Sequence, residues 1–211
     1  MNIDYNLIAI DLPSHGRSDV FPKLSLEFYV EVLNGFIQAS KYEKIVLCGH
    51  SLGGAIVQEY YFKNLDYLVA LILVGTGAKL KVNPFILNSL KDDYQEYLDS
   101  LPAGDFYRKT SKEVINQYIL DTTKIGSEVT YQDFSICDNF DTLSKSELIE
   151  IPCLILVGKG DKLTPVKYST YFHDKIKDSE LLIIKHASHM VMLEKPLEIN
   201  NAISKFIEKL T

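Results

Sequence analysis

The chain has 211 residues, with 22 Lys and Arg against 28 Asp and Glu for a net charge of −6, and is 46% hydrophobic and 24% charged. This length fits one domain with room for an inserted subdomain, and this composition excludes a disordered chain. The mild acidity argues against nucleic acid or an anionic membrane surface as a partner, and no apolar run reaches the roughly 18–20 residues of a membrane span.

The N-terminus, Met1-Asn2-Ile3-Asp4-Tyr5, has no basic stretch followed by an apolar one, so no signal peptide is expected. Residues 7–10, Leu7-Ile8-Ala9-Ile10, are apolar without interruption and predict a strand over 5–11. Asp11-Leu12-Pro13-Ser14-His15-Gly16-Arg17-Ser18 then reads as a structural turn. Leu26, Tyr29, Val30, Leu33 and Ile37 recur at helical spacing behind Ser25, a good N-cap. A second strand is expected over 44–48, a helix over 55–61 and a third strand over 68–74.

From Ala78 to Ser146 no run is strand-like. Helices are expected over 84–98 and 111–124, and the aromatic residues scattered among them suit a small satellite core. Strands return at 153–157 and 181–184. Between them Thr164 is placed to cap a helix that Pro165 opens, with Tyr168, Phe172 and Ile176 on one face. A last helix starts at Pro196 and carries Ile199, Ile203, Phe206, Ile207 and Leu210 on one stripe. Strands that are apolar on consecutive residues are buried on both faces, which is the condition inside a parallel sheet. The expected class is therefore α/β, a mostly parallel sheet with helices on both faces. Residues 1–77 and 147–211 form its core, and 78–146 are an insertion.

Cys48, Cys137 and Cys153 are an odd number of cysteines with no CxxC pair, so neither a disulfide framework nor a zinc knuckle is expected. The simplest reading is small buried side chains in a reducing cytoplasm.

The most informative segment is Gly49-His50-Ser51-Leu52-Gly53, a G-x-S-x-G pattern between a strand and a helix. A serine on so sharp a turn projects its Oγ away from the backbone, and small residues must stand two positions to either side. The following helix aims the Leu52 N–H and its dipole at any oxyanion formed there. A serine alcohol needs a base, and the base needs an orienting carboxylate. Asp161 follows the strand at 153–157 and His189 follows the strand at 181–184. The chain has five histidines. His173 reads as a surface residue within a helix, and His50 as a packing residue of the elbow. His186 competes with His189, but it directly follows the strand, whereas the base must come from the loop beyond.

These residues carry a resemblance. Asp11 to Ser18, Gly49 to Gly54, Phe140-Asp141, Gly158-Lys159-Gly160-Asp161, and His189 to Glu194 with Pro196 together resemble the α/β-hydrolase superfamily, in particular its capped single-domain members. These include carboxylesterases, lactonases, carbon–carbon bond hydrolases and cofactor-free haloperoxidases. The resemblance runs from about Tyr5 to the C-terminus and matches the insertion loosely. It implies a helical cap over 78–146 and a catalytic triad of Ser51, Asp161 and His189, with Leu52 N–H in the oxyanion hole. Ser14 and Ser188 stand where glycines are usual. The chain also starts at the strand that the family counts as its fourth, so an N-terminally truncated fold without the second oxyanion donor is expected.

The implied reaction is acyl transfer to water on a small, apolar, ester-like substrate, with no metal or organic cofactor and no nucleic-acid or membrane partner. A carbon–carbon bond hydrolase, a thioesterase and a non-catalytic or impaired protein of the same fold are the alternatives.

Overall fold

A computed structural model describes residues 5–63 and 67–210. Four strands, β1 (Ile45–His50), β2 (Leu68–Val74), β3 (Cys153–Gly158) and β4 (Ser179–Ile184), form one parallel sheet in the order β1-β2-β3-β4. The register pairs Cys48 with Ile72, Ile72 with Leu154, and Leu154 with Glu180. Alternate residues of the central strands face opposite ways. Leu71, Leu73, Cys153 and Ile155 pack with α1 (Leu26–Ser40), α2 (Leu52–Lys63) and α7 (Val166–Lys175). Ala70, Ile72, Val74, Leu154 and Leu156 pack on the opposite face with α9 (Pro196–Glu208). Both faces are covered, which is why β2 and β3 are apolar throughout.

The expected strand over 5–11 is not formed. An apolar run becomes a strand only when a neighbour completes its ladder. Here the run lies opposite the free edge of β1, across a groove of about 680 Å³ lined by Leu7, Ile8, Ile10, Val46 and Cys48. Leu7 is accordingly 68% exposed. The expectation of three buried thiols also fails in part. Cys137 and Cys153 are buried, but Cys48 opens onto this groove, where surrounding protein atoms still push its thiol up to about 11.

Residues 84–139 carry α3 (Pro84–Asp92), α4 (Tyr94–Asp105), α5 (Lys112–Ile125) and α6 (Ser127–Asn139), followed by a 3₁₀ turn at Leu143–Leu148. The single helix expected over 84–98 breaks at Asp93, which leaves helical geometry and caps α4 by accepting from Glu96 N at 3.1 Å. Leu90, Tyr97, Leu98 and Leu101 make a core of their own, with Tyr118, Tyr131 and Phe134 packed against it. The ends of the segment meet in a β-bridge between Lys79 and Asp141, where Lys79 Nζ donates to the carboxylate at 2.7 Å. The turn after residue 10 is tied to α6 through His15 Nε2 and Asp133 Oδ2, 2.9 Å apart. Tyr29 OH donates to the other Asp133 oxygen at 2.6 Å.

Candidate active site

Ser51 sits between the end of β1 and the start of α2 with φ +51°, a left-handed conformation that costs a non-glycine residue roughly 1–3 kcal/mol. The surroundings enforce it. Ser51 N donates to Val74 O at 3.0 Å, and Thr76 Oγ1 donates to Ser51 O at 2.8 Å. A Cβ at Gly49 would stand 2.2 Å from Gly53 O, so the turn closes only with glycine there. Leu52 is the first residue of α2, and its N–H is among the first-turn donors that a helix leaves without an internal acceptor.

Asp161 lies on the loop after β3. Its Oδ1 accepts from Leu163 N at 2.9 Å and Thr164 N at 2.8 Å, and its Oδ2 from Thr164 Oγ1 at 2.8 Å. The expected capping role of Thr164 is thus replaced. Pro165 occupies the N-cap of α7, and the Thr164 hydroxyl serves the carboxylate. His189 Nδ1 stands 3.0 Å from Asp161 Oδ2 and 3.3 Å from Thr164 Oγ1. Burial favours the neutral carboxyl of Asp161, but the bond and charge of His189, with the Thr164 donors, hold it below the ordinary value. Burial likewise opposes a charge on His189. Asp161 outweighs it, with help from Asp105 and Glu194, and the imidazole is raised above its ordinary value.

His186, the competing histidine, faces away. Its Nδ1 meets Tyr107 OH at 3.2 Å on the exposed side of the loop. His50 packs against His189 with ring centroids 4.6 Å apart, and its Nε2 donates to His189 O at 3.0 Å. Burial and the charge of His189 hold it neutral, down to about 3. The structure therefore joins Asp161 to His189 and sets Ser51 on the elbow. Among the described residues it closes no hydrogen bond from Ser51 Oγ to His189.

Two residues outside the sequence-based set support this loop. Glu194, on α8 (Val191–Glu194), accepts from Ser188 N, from Tyr107 N at 2.6 Å and from Thr110 Oγ1. One carboxylate thus ties the histidine loop to the segment between α4 and α5. Asp105, the last residue of α4, accepts from Met190 N through its carbonyl at 3.1 Å. Glu194 falls in the motif that ends at Pro196, but nothing in its spacing indicates that it reaches back to Ser188. Asp105 has no sequence signal, because only the packing of α4 against the loop brings it there.

Ser51 forms part of the wall of a cavity of about 370 Å³. Leu80, Val82, Phe85, Ile86, Leu101 and Phe134 are among its apolar lining residues. A left-handed serine on the cavity wall, a carboxylate-bound imidazole and a free helical N–H are among the parts needed for nucleophilic attack on a carbonyl.

The model of the alpha/beta hydrolase family matches residues 3–202. A solved thermophilic esterase is 40% identical with a TM-score of 0.88, over 95% of this chain and 79% of that one. A proline iminopeptidase of Saccharolobus solfataricus is 28% identical over 99% of this chain and 77% of its own length. A pimeloyl-[acyl-carrier protein] methyl ester esterase of Proteus mirabilis is 24% identical over 98% of this chain and 84% of its own.

Proposed function

We propose that this chain, which belongs to the alpha/beta hydrolase family, cleaves a small-molecule carboxylic ester or related acyl bond through an acyl-enzyme on Ser51. The observation that carries the reading is the 3.0 Å contact of His189 Nδ1 with Asp161, which leaves Nε2 free to act as a base. His189 takes the Ser51 proton as Oγ attacks the carbonyl, and Asp161 holds the imidazole tautomer and stabilises the imidazolium. The Leu52 N–H receives the oxyanion. Collapse expels the alcohol, which takes the proton from His189. A water activated by the same imidazole then hydrolyses the acyl-enzyme. Residues 78–146 act as a cap whose apolar side chains receive the substrate. The similar thermophilic esterase and methyl ester esterase support an ester as the bond cleaved.

A fluorophosphonate probe tests this directly. Rapid labelling of one serine, mapped to Ser51 and lost in Ser51→Ala and His189→Ala, is the expected result. No labelling of the folded protein, or labelling elsewhere, overturns it.

A further inference from the structure

Asp105 is 6% exposed and stands on the cavity wall that also holds Ser51. Tyr118 OH donates to its Oδ2 at 3.0 Å, and among the described residues no donor reaches Oδ1. Two lysines line the same cavity, but both are committed elsewhere. Lys81 Nζ is 2.8 Å from Asp138, and Lys162 Nζ is 2.9 Å from Ala103 O. Leu101 and Phe134 are among the apolar side chains on the same cavity wall. A carboxylate taken out of water needs a cation or several donors, and here it has one phenol.

The charge around it points the same way. Among the described residues His189 is the cation that acts on the Asp105 carboxyl, and Asp161 already holds it, while Asp161 itself adds a second negative charge. Burial, opposed by His189 and the Tyr118 bond, therefore keeps the Asp105 carboxyl above its ordinary value. Asp105 also ends α4, where the unpaired carbonyls of a helix favour cations. An ammonium is received at this helix end already, since that of Lys162 sits on Ala103 O. A neutral hydroxyl would give Oδ1 one bond and leave the buried charge uncompensated. A protonated amine does both.

We propose that Asp105 anchors a protonated amino group of the substrate, so that the compounds hydrolysed are amino-bearing esters or related acyl compounds. The ester chemistry in this statement rests on Ser51 being the nucleophile, but the cation site itself does not.

Two measurements separate the two ideas. The first is equilibrium binding of n-butylammonium against 1-butanol, followed by NMR titration of the intact protein. The cation should bind on the order of ten- to a hundred-fold tighter, the size of a hydrogen bond to a charged group. Asp105→Asn should bring the ratio to about one. The second is kcat/KM for β-alanine methyl ester against methyl butyrate, in which an ammonium replaces a terminal methyl group. The same preference and the same collapse in Asp105→Asn are expected. Equal binding of cation and alcohol by the wild type, or a ratio unchanged in the variant, overturns the proposal without reference to turnover. Ester hydrolysis with no preference for the amine overturns it too, while leaving the serine mechanism standing. Cation-selective binding with no hydrolysis and no fluorophosphonate labelling supports the anchor and removes the mechanism.

Discussion

Asp161 Oδ2 receives both His189 Nδ1 at 3.0 Å and Thr164 Oγ1 at 2.8 Å, so one carboxylate oxygen fixes the imidazole and is itself fixed. Asp161→Asn keeps the shape of this arrangement and removes its charge. Turnover should fall by on the order of ten-thousand-fold, because the amide favours the wrong tautomer. The pH profile carries a second signature. The base must be neutral, so kcat/KM rises as pH passes the raised pKa of His189. Without the Asp161 charge, burial prevails and this limb should move to lower pH. A limb that stays in place would count against the role of Asp161.

The backbone at Ser51 stores strain that its own replacement can reveal. Ser51→Ala and Ser51→Gly should both lose nearly all turnover, and adding His189→Ala should cost little more, because the residues act as one unit. Glycine alone tolerates φ +51° freely. Ser51→Gly should therefore melt above Ser51→Ala by about 1 kcal/mol, or roughly 2–4 °C in a chain of this size. Equal melting temperatures would show that the elbow relaxes in the variants.

Glu194 acts on His189 from two sides, through the Ser188 amide and through its charge. Glu194→Ala leaves the amides of Ser188 and Tyr107 without their acceptor and should cost about 1–3 kcal/mol in thermal or denaturant unfolding. Glu194→Gln restores one acceptor and removes the charge. Its activity limb should also move to lower pH, by less than in Asp161→Asn. A stability loss with no change in the limb would make Glu194 a purely structural tie.

The link between His15 and Asp133 predicts a pH-dependent stability. The bond to Asp133 raises His15 above its ordinary value against the opposing effect of burial, and Pro13 O adds to the rise. Its stabilisation is complete below about pH 6.5, where the unfolded chain is also protonated, and is lost as pH rises through the folded value. Melting of the wild type and His15→Gln should differ by roughly 2–4 °C near pH 5.5 and converge near pH 9. A difference that grows with pH would contradict the pairing.

Burial pattern and loop geometry differ in how much of themselves they leave in a sequence. β2 and β3 follow from uninterrupted apolar runs because both faces of the central sheet are covered, whereas the run in β4 forms its strand with Leu182 and Ile183 exposed at the sheet's edge. The run at 7–10 has the same composition and forms no strand, since pairing is a property of the neighbour and not of the run. Ser25 caps α1 as its type and position suggest, with Phe28 N at 3.1 Å. Asp93 breaks a helix that periodicity alone would continue. Ser51, Leu52, Asp161 and His189 are named as candidates from the sequence because turn geometry and chain order constrain such residues tightly, and among them the structure forms the contact of His189 with Asp161. Asp105, Glu194 and the Thr164 hydroxyl are not so named. They reach the loop through side-chain directions that only tertiary packing sets.

The open flank of β1 divides the amides of a single strand into two populations. Ile45 N donates to Tyr67 O and Ser51 N to Val74 O, so the odd-numbered N–H groups point into the sheet. The N–H groups of Val46 and Cys48, pointing the other way, face the groove. Hydrogen–deuterium exchange should read this as alternation, with Leu47 slow and its two neighbours fast. The strand thereby reports on its own border. A segment laid along the groove slows Val46 and Cys48 first, while the rate at Leu47 follows the opening of the whole sheet.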